Sequence, residues 1–365
     1  MKVQEIVING RFLGRKPTGV DRFAYEIISA ISEMIRQNHK AVQGLSFKIA
    51  VPKTTNFASP FEFIPFVPVG FGSGQLWEQV VLPFYIRRNT LLISLCNTGP
   101  IAVPQQIAVI HDAATVVTPS AFSLAFRIWY RLLLPILGKS VQRIVTVSEF
   151  SKKEITSMFG ISTRIVRTVG EGGEHILRIS SADGAIERYG LVPKCYFLAV
   201  SSMAAHKNFG LVVQALSKLE DPPFDVAIAG GANSRVFGNS GILDSPQIKW
   251  LGYVSDEELR ALYESAMWFV FPSIYEGFGI PPLEAMNCGC PVLASNAASI
   301  PEVCGDAALY FNPNDADELA ALLLRVSKDA ELRAEFSRKG LARAQEFSWE
   351  NAARQILDVC REIIS

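Results

Sequence analysis

Two carboxylates eight residues apart enclose a loop rich in glycine and proline: Glu276 and Glu284 in "SIYEGFGIPPLEAM", residues 273–286. The stretch follows the apolar run "MWFVFP" and precedes "CGCPVLASN", so it reads as the passage from a buried strand into a helix. Gly277 and Gly279 admit backbone conformations and close approaches that a side chain would hinder. Pro281 and Pro282 suit the first turn of the helix, where a missing N–H costs little. Such a helix start aims amides outward, a seat for a phosphate or for sugar hydroxyls. Glu284, expected within that first turn, has the oxygens to accept two hydrogen bonds from a ribose diol, and Glu276, on the loop, reaches hydroxyls of a second ring. On spacing alone, a turn whose Glu merely complements the helix dipole is an equal alternative.

Other positions carry chemistry of the same kind. Lys207 follows a strand and a short loop, where a helix begins at Asn208, and a cation there can neutralise a departing diphosphate. A solvated lysine is the plain alternative. His111 and Asp112 close the run "IAVIH" at its carboxyl end, the edge where open α/β sheets bind ligands; a histidine satisfied by core neighbours is the competing reading.

These residues need a scaffold, and the chain has the length for one. It has 365 residues, 49% of them hydrophobic, enough for two domains that each bury a core. Short apolar runs alternate with amphipathic stretches: EIVIN, FKIAV, LLISL, IAVIH and RIVTV in the first half, then YFLAVS, DVAIAG, IKWLGYV, WFVFPS, PVLAS and ALYF. That alternation predicts parallel sheets covered by helices in two α/β units. Capping boxes are expected at Ser151 with Glu154, Ser255 with Glu258 and Asp315 with Glu318. The polar stretch 176–193 reads as a linker, with domains at 1–175 and 194–346; residues 52–75 read as a long irregular loop.

Charge narrows the partners. Lys and Arg balance Asp and Glu at 35 each, against a nucleic-acid binder that relies on whole-chain electrostatics. Residues 1–175 nevertheless hold 19 basic and 11 acidic residues, which points to one half facing something anionic. The segment 122–143 sets Arg127, Arg131, Lys139 and Arg143 among aromatic and aliphatic residues, as a helix resting on an anionic membrane would, although an ordinary core-facing helix fits too. The N-terminus lacks signal-peptide features, and no apolar run reaches the roughly 18 residues of a span. Six cysteines without metal-site spacing read as reduced packing thiols of a cytoplasmic protein.

The pattern S-x-x-E-G-F-G-x-P-x-L-E-A-M-x-x-G-x-P-V from Ser273, continuing through Ser295, "IPEVCGDAALYF" and Pro313, resembles the E-x7-E donor-binding signature of retaining glycosyltransferases of family 4. "TGVDRFAYEI", "VIHD", "RIVTVSEFSKKEI", "AHKN", "LGYVSDEELRALYESA" and "FSWENAARQIL" follow in that family's order. The resemblance implies an α/β GT-B fold: two Rossmann-like domains facing a cleft, with a C-terminal helix, about 347–365, crossing back to the first domain. It implies a donor site of Gly19, His206, Lys207, Gly252, Tyr253, Val254, Glu276, Gly277, Phe278, Gly279, Ile280 and Glu284, with Glu276, Lys207, His111 and Asp112 as the catalytic set. In that scheme His111 touches the donor sugar or the acceptor and Asp112 orients it, Gly19 lets amides approach the sugar diphosphate, and Gly252 to Val254 read the nucleobase with their backbone. Arg15 and Lys16 guide anions.

Two departures stand out: His206 occupies the place of the family's usual Arg, and Ser201 that of a frequent Gly. Asp315 and Asp317 form a D-x-D, a metal motif in other glycosyltransferases; here we read it as a helix cap, with no metal required. The implied reaction moves a hexose, mannose from GDP-mannose favoured, to a hydroxyl of a glycan, such as a polyprenyl-diphosphate-linked oligosaccharide at the inner face of a bacterial membrane. "LWEQVVLP" and "LCNTGP" resemble acceptor-side segments. A GT-B nucleotide-sugar epimerase and a non-catalytic scaffold of the same fold stay open as alternatives.

Overall fold

The computed structural model describes residues 5–14, 18–55, 58–230 and 246–364. They fall into two compact units, Met1–Glu171 with Trp349–Ser365, and Gly172–Ser348. Arg15 and Lys16 lie outside the described residues.

The first unit carries β1 (Glu5–Asn9), β2 (Ser46–Pro52), β3 (Phe66–Val69), β4 (Thr90–Ser94), β5 (Gln106–Val109), β6 (Arg143–Thr146) and β7 (Val166–Thr168). They form a parallel sheet in the order β3-β2-β1-β4-β5-β6-β7. The second unit carries β8 (Tyr196–Val200), β9 (Asp225–Ala229), β10 (Ile248–Gly252), β11 (Trp268–Phe271), β12 (Val292–Ser295) and β13 (Ala308–Phe311), ordered β10-β9-β8-β11-β12-β13 and again parallel. Strands covered on both faces must be apolar throughout, and β4, β5, β11 and β12 are buried at every residue. Each sheet reverses its winding once, between β1 and β4 and between β8 and β11. In open α/β sheets the ligand crevice lies at the carboxyl ends of the strands on either side of such a reversal.

Two strands escape the sequence pattern. β3 lies inside the stretch expected to be irregular: Pro68 interrupts the run and has no amide to donate, which a strand tolerates at a sheet edge, where β3 sits. β7 is three residues long and forms the opposite edge.

The stretch 176–193 is built into the second unit. Arg260 donates to the carbonyls of Leu177 and Ile179, the Ala182 amide donates to the Glu257 carbonyl at 3.1 Å, and Arg188 pairs with Glu258 at 2.6 Å. Its polar character serves the helix Asp256–Ser265, which it lines, and that is why composition made it look like a tether. The helix Glu149–Phe159 is capped by Ser148, whose hydroxyl accepts from the Ser151 amide at 2.9 Å, so the expected box at Ser151 starts three residues too late. The box at Ser255 and Glu258 forms in both directions.

The last helix, Trp349–Ile364, belongs to the first unit, as a C-terminal helix returning to the N-terminal domain must. Its amphipathic face buries Trp349, Ile356, Leu357 and Cys360, and the Trp349 ring meets Phe23 edge-on. Glu362 pairs with Arg143 at 3.1 Å and Arg167 at 2.9 Å. Among the described residues no helix is long and apolar enough to cross a membrane.

Candidate functional site

At the reversal of the second sheet, the chain leaving β8 meets the chain leaving β11. After Ser201 the first forms a single turn, Ala205–Lys207, and Asn208 then takes a left-handed φ of 57° to enter the helix Phe209–Ser217. The Asn208 amide group holds the carbonyls of Pro272 at 3.2 Å and Pro313 at 2.8 Å, while the Ile274 amide donates to the His206 carbonyl at 2.8 Å. These bonds lock the two loops in register. Lys207 Nζ consequently lies 2.7 and 2.9 Å from the two carboxylate oxygens of Glu276. Two residues singled out on separate motifs are joined.

The loop after Glu276 is shaped from beneath. Ser299 Oγ, wholly buried, faces the carbonyls of Glu276 at 2.9 Å and Phe278 at 2.8 Å and shares its proton between them. In a trans peptide the carbonyl and the next amide point opposite ways, so these anchors turn the Gly277 and Gly279 amides away from Ser299. Gly279 caps the helix Ile280–Asn287 at φ 115° and ψ 68°, a conformation that favours glycine. Of the four leading amide positions that a helix leaves unbonded, Pro281 and Pro282 fill two, so only Gly279 and Ile280 retain an N–H there. The anion seat is narrower than the spacing suggested.

Glu284 is the fifth residue of this helix and stands past its first turn, a correction to the expected placement. Its carboxylate, 9% exposed as a residue, is held by His175 and Tyr263. Neither they nor Ser299 could be found from spacing; each acts on the motif from a distant part of the chain.

At the carboxyl ends of β8 and β9, the Ser201 amide donates to the Ala229 carbonyl and the Gly230 amide to the Gly252 carbonyl at 2.7 Å. A Cβ on Gly230, at φ 111°, would stand 2.0 Å from the Ser201 carbonyl oxygen, so glycine is required. Gly252 ends the edge strand β10, two strands from β8, and Tyr253 and Val254 follow it, with Tyr253 87% exposed.

In the first unit, His111 is a core residue. Its Nδ1 faces Glu171 Oε1 at 3.3 Å, its Nε2 faces the Leu95 carbonyl at 3.0 Å, and its ring packs edge-on against Phe23. Both ring nitrogens of His111, the residue expected to touch the donor sugar or the acceptor, have partners within the unit. A carbonyl and a carboxylate as partners call for a proton on each nitrogen; burial opposes that charge, but the Glu171 carboxylate outweighs it and raises the pKa above 6.5. Asp112 Oδ1 accepts from the Ala114 amide at 2.9 Å. Gly19 opens the helix Gly19–Arg36 behind the Thr18–Asp21 cap, and open space surrounds its missing Cβ.

One polar cluster of this unit went unread. Glu78, fully buried in the π-helical turn Trp77–Val81, accepts from Asn9 at 2.7 Å, Arg11 at 2.8 Å and Thr98 at 2.8 Å. It joins "LWEQVVLP" to "LCNTGP" at the carboxyl ends of β1 and β4.

Comparison with known proteins agrees with the architecture. Residues 189–343 match the model of the glycosyl transferases group 1 family. Over 229 residues the chain is 38% identical to O-antigen chain mannosyltransferase B of Escherichia coli; the match covers 60% of this chain and 60% of that relative, short of two thirds of its length. Among solved structures, sucrose-phosphate synthase from Thermosynechococcus elongatus superposes with a TM-score of 0.75 at 18% identity over 98% of both chains. Anabaena HepE in complex with UDP and glucose gives 0.72 at 16% identity, covering 98% of this chain and all of the other. The fold is that of the GT-B glycosyltransferases.

Proposed function

We propose that the chain transfers a hexose from a nucleotide diphosphate sugar to a hydroxyl of a glycan acceptor in bacterial surface polysaccharide synthesis, with mannose from GDP-mannose as the donor and retention at the anomeric carbon. The observation that carries this is the Lys207–Glu276 pair at the sheet reversal, beside a helix start with two offered amides and with Glu284 one turn further on. As the bond from the anomeric carbon to the diphosphate breaks, the bonding electrons leave with the phosphate and the sugar takes on oxocarbenium character. Lys207 and the Gly279 and Ile280 amides supply the positive field for that departing charge, with His206 beside them. Glu276, relieved of Lys207 by the incoming phosphates, turns to hydroxyls of the sugar. The acceptor hydroxyl closes the new bond and gives up its proton to an oxygen of the departing diphosphate.

The similarity to O-antigen chain mannosyltransferase B supports mannose and a polysaccharide acceptor. No metal is needed in this scheme, because a lysine and a helix start take the role of a cation. A lipid-linked acceptor would be met at a membrane surface. The helix Leu124–Ser140 supports that contact: Leu124, Ile128, Leu132 and Ile136, four residues apart, are exposed beside Arg131 and Lys139, and no Asp or Glu occurs from 113 to 148.

A thermal-shift screen against GDP, UDP, dTDP and ADP sugars tests the reading, since a ligand that prefers the folded chain raises its melting temperature. GDP-mannose should give the largest shift, and NMR should show a retained glycosidic bond only when acceptor is added. No shift with any nucleotide sugar would remove the proposal.

A further inference from the structure

The Glu284 carboxylate is gripped from two elements besides its own helix. His175, on the turn Glu174–Arg178, places Nε2 2.9 Å from Oε1. Tyr263, on the helix Asp256–Ser265, donates its hydroxyl to Oε2 at 3.0 Å. Both are deeply buried, at 2% and 0% exposure. The approach of the first turn is itself built: a Cβ on Gly173 would stand 2.7 Å from Leu283 Cβ and 2.8 Å from the Leu283 carbonyl carbon, so glycine lets the chain press onto the helix and His175 reach the carboxylate. Burial, with Glu284 beside it, pushes the Tyr263 hydroxyl well above its ordinary range, which keeps it a donor.

An ionised carboxylate offers about four acceptor positions, two on each oxygen. His175 and Tyr263 each occupy one, on different oxygens. What is left is one position on either oxygen, in a plane that can no longer rotate. That is the pattern a vicinal diol needs.

We propose that His175 and Tyr263 are positioning residues for ribose recognition, fixing the Glu284 carboxylate so that its two oxygens meet the 2′- and 3′-hydroxyls of the donor nucleotide. The proposal rests on the reading of Glu284 as the ribose acceptor and adds the two side chains that aim it. A cluster that only cements three elements would affect stability and leave sugar discrimination alone.

The experiment is calorimetric titration of the full chain with GDP and UDP, each beside its 2′,3′-dideoxy counterpart. Tyr263→Phe keeps the ring that packs against Phe269, and His175→Leu removes the donor. Each should weaken the ribose form about tenfold, the scale of one hydrogen bond to a charged group, and leave the dideoxy form unchanged. His175→Gln, which carries a donor at a similar reach, should restore much of the preference. In Glu284→Ala the preference should vanish, and adding Tyr263→Phe should change nothing more. Variants that melt earlier but keep the wild-type ratio of ribose to dideoxy affinity, or lose both forms equally, overturn the proposal. If Glu284→Ala itself keeps that ratio, or neither diphosphate binds the wild type, the underlying reading falls instead.

Discussion

Lys207 donates to both carboxylate oxygens of Glu276 across two loops 69 residues apart in sequence. The ammonium group that would meet a diphosphate is thus stored on the carboxylate that would meet the sugar, with side chains 18% and 12% exposed. In the proposed reaction, donor binding would exchange one partner for another and leave neither charge unmet.

Lys207→Ala should lower kcat by on the order of 10²–10³, the usual cost of removing a preorganised group from a developing charge. Melting temperature should fall as well, because the change leaves the mostly buried Glu276 carboxylate without its partner, so the rate is read at a temperature where both proteins are folded. Steady-state rates with the selected donor check this; activity within twofold of wild type would contradict the role.

Gly279→Ala probes the backbone alone. The added Cβ would lie 3.7 Å from a Phe271 ring carbon, an ordinary contact, so the penalty comes from φ 115° and amounts to about 1–3 kcal/mol. Denaturant melts should register that loss, and donor affinity should fall with it as the Gly279 and Ile280 amides shift.

The His111–Glu171 pair has a signed pH dependence. The folded pKa is raised above 6.5, so the stabilisation is complete below that value and is lost as pH rises through the folded pKa. Glu171→Gln should therefore melt well below wild type near pH 6, with the gap narrowing towards pH 9. A gap that widens with pH would contradict an imidazolium at this position.

Activity should persist in excess EDTA. Asp315 Oδ1 accepts from the amides of Asp317 at 3.0 Å and Glu318 at 2.9 Å, and Asp317 lies 2.8 Å from Lys218, so the D-x-D is engaged as a helix start. Abolition that magnesium reverses would count against the metal-independent scheme.

The exposed row on the helix Leu124–Ser140 should bind vesicles containing anionic lipid, less so at high salt. Ile128→Glu with Leu132→Glu should abolish co-sedimentation while leaving donor affinity intact. Equal sedimentation of that variant would remove the membrane role.

The sequence announced this fold wherever one rule governed a whole segment. A strand buried on both faces has to be apolar, so WFVFPS and PVLAS were visible, whereas β3 is an edge strand whose Pro68 breaks the run. The donor motif was legible because its constraints are local: a strand end, a glycine, two prolines and a helix. Its supports were not. Ser299 acts 23 residues away from Glu276 and His175 acts 109 away from Glu284, and a hydroxyl or an imidazole in those places has no periodicity to betray it. His111 was readable as a residue at a strand end, but the carboxylate that claims its ring lies 60 residues on, and only tertiary geometry pairs them.

Because Trp349–Ile364 completes the unit that begins with β1, the half translated first is the last to be finished. The ribosome must make all of Gly172–Ser348 before Trp349 can cover Phe23, an interval of roughly 10–35 s at ordinary elongation speeds. Through that interval the nascent chain carries an uncovered apolar wall at Phe23, which makes a chaperone's protection most valuable in the middle of synthesis.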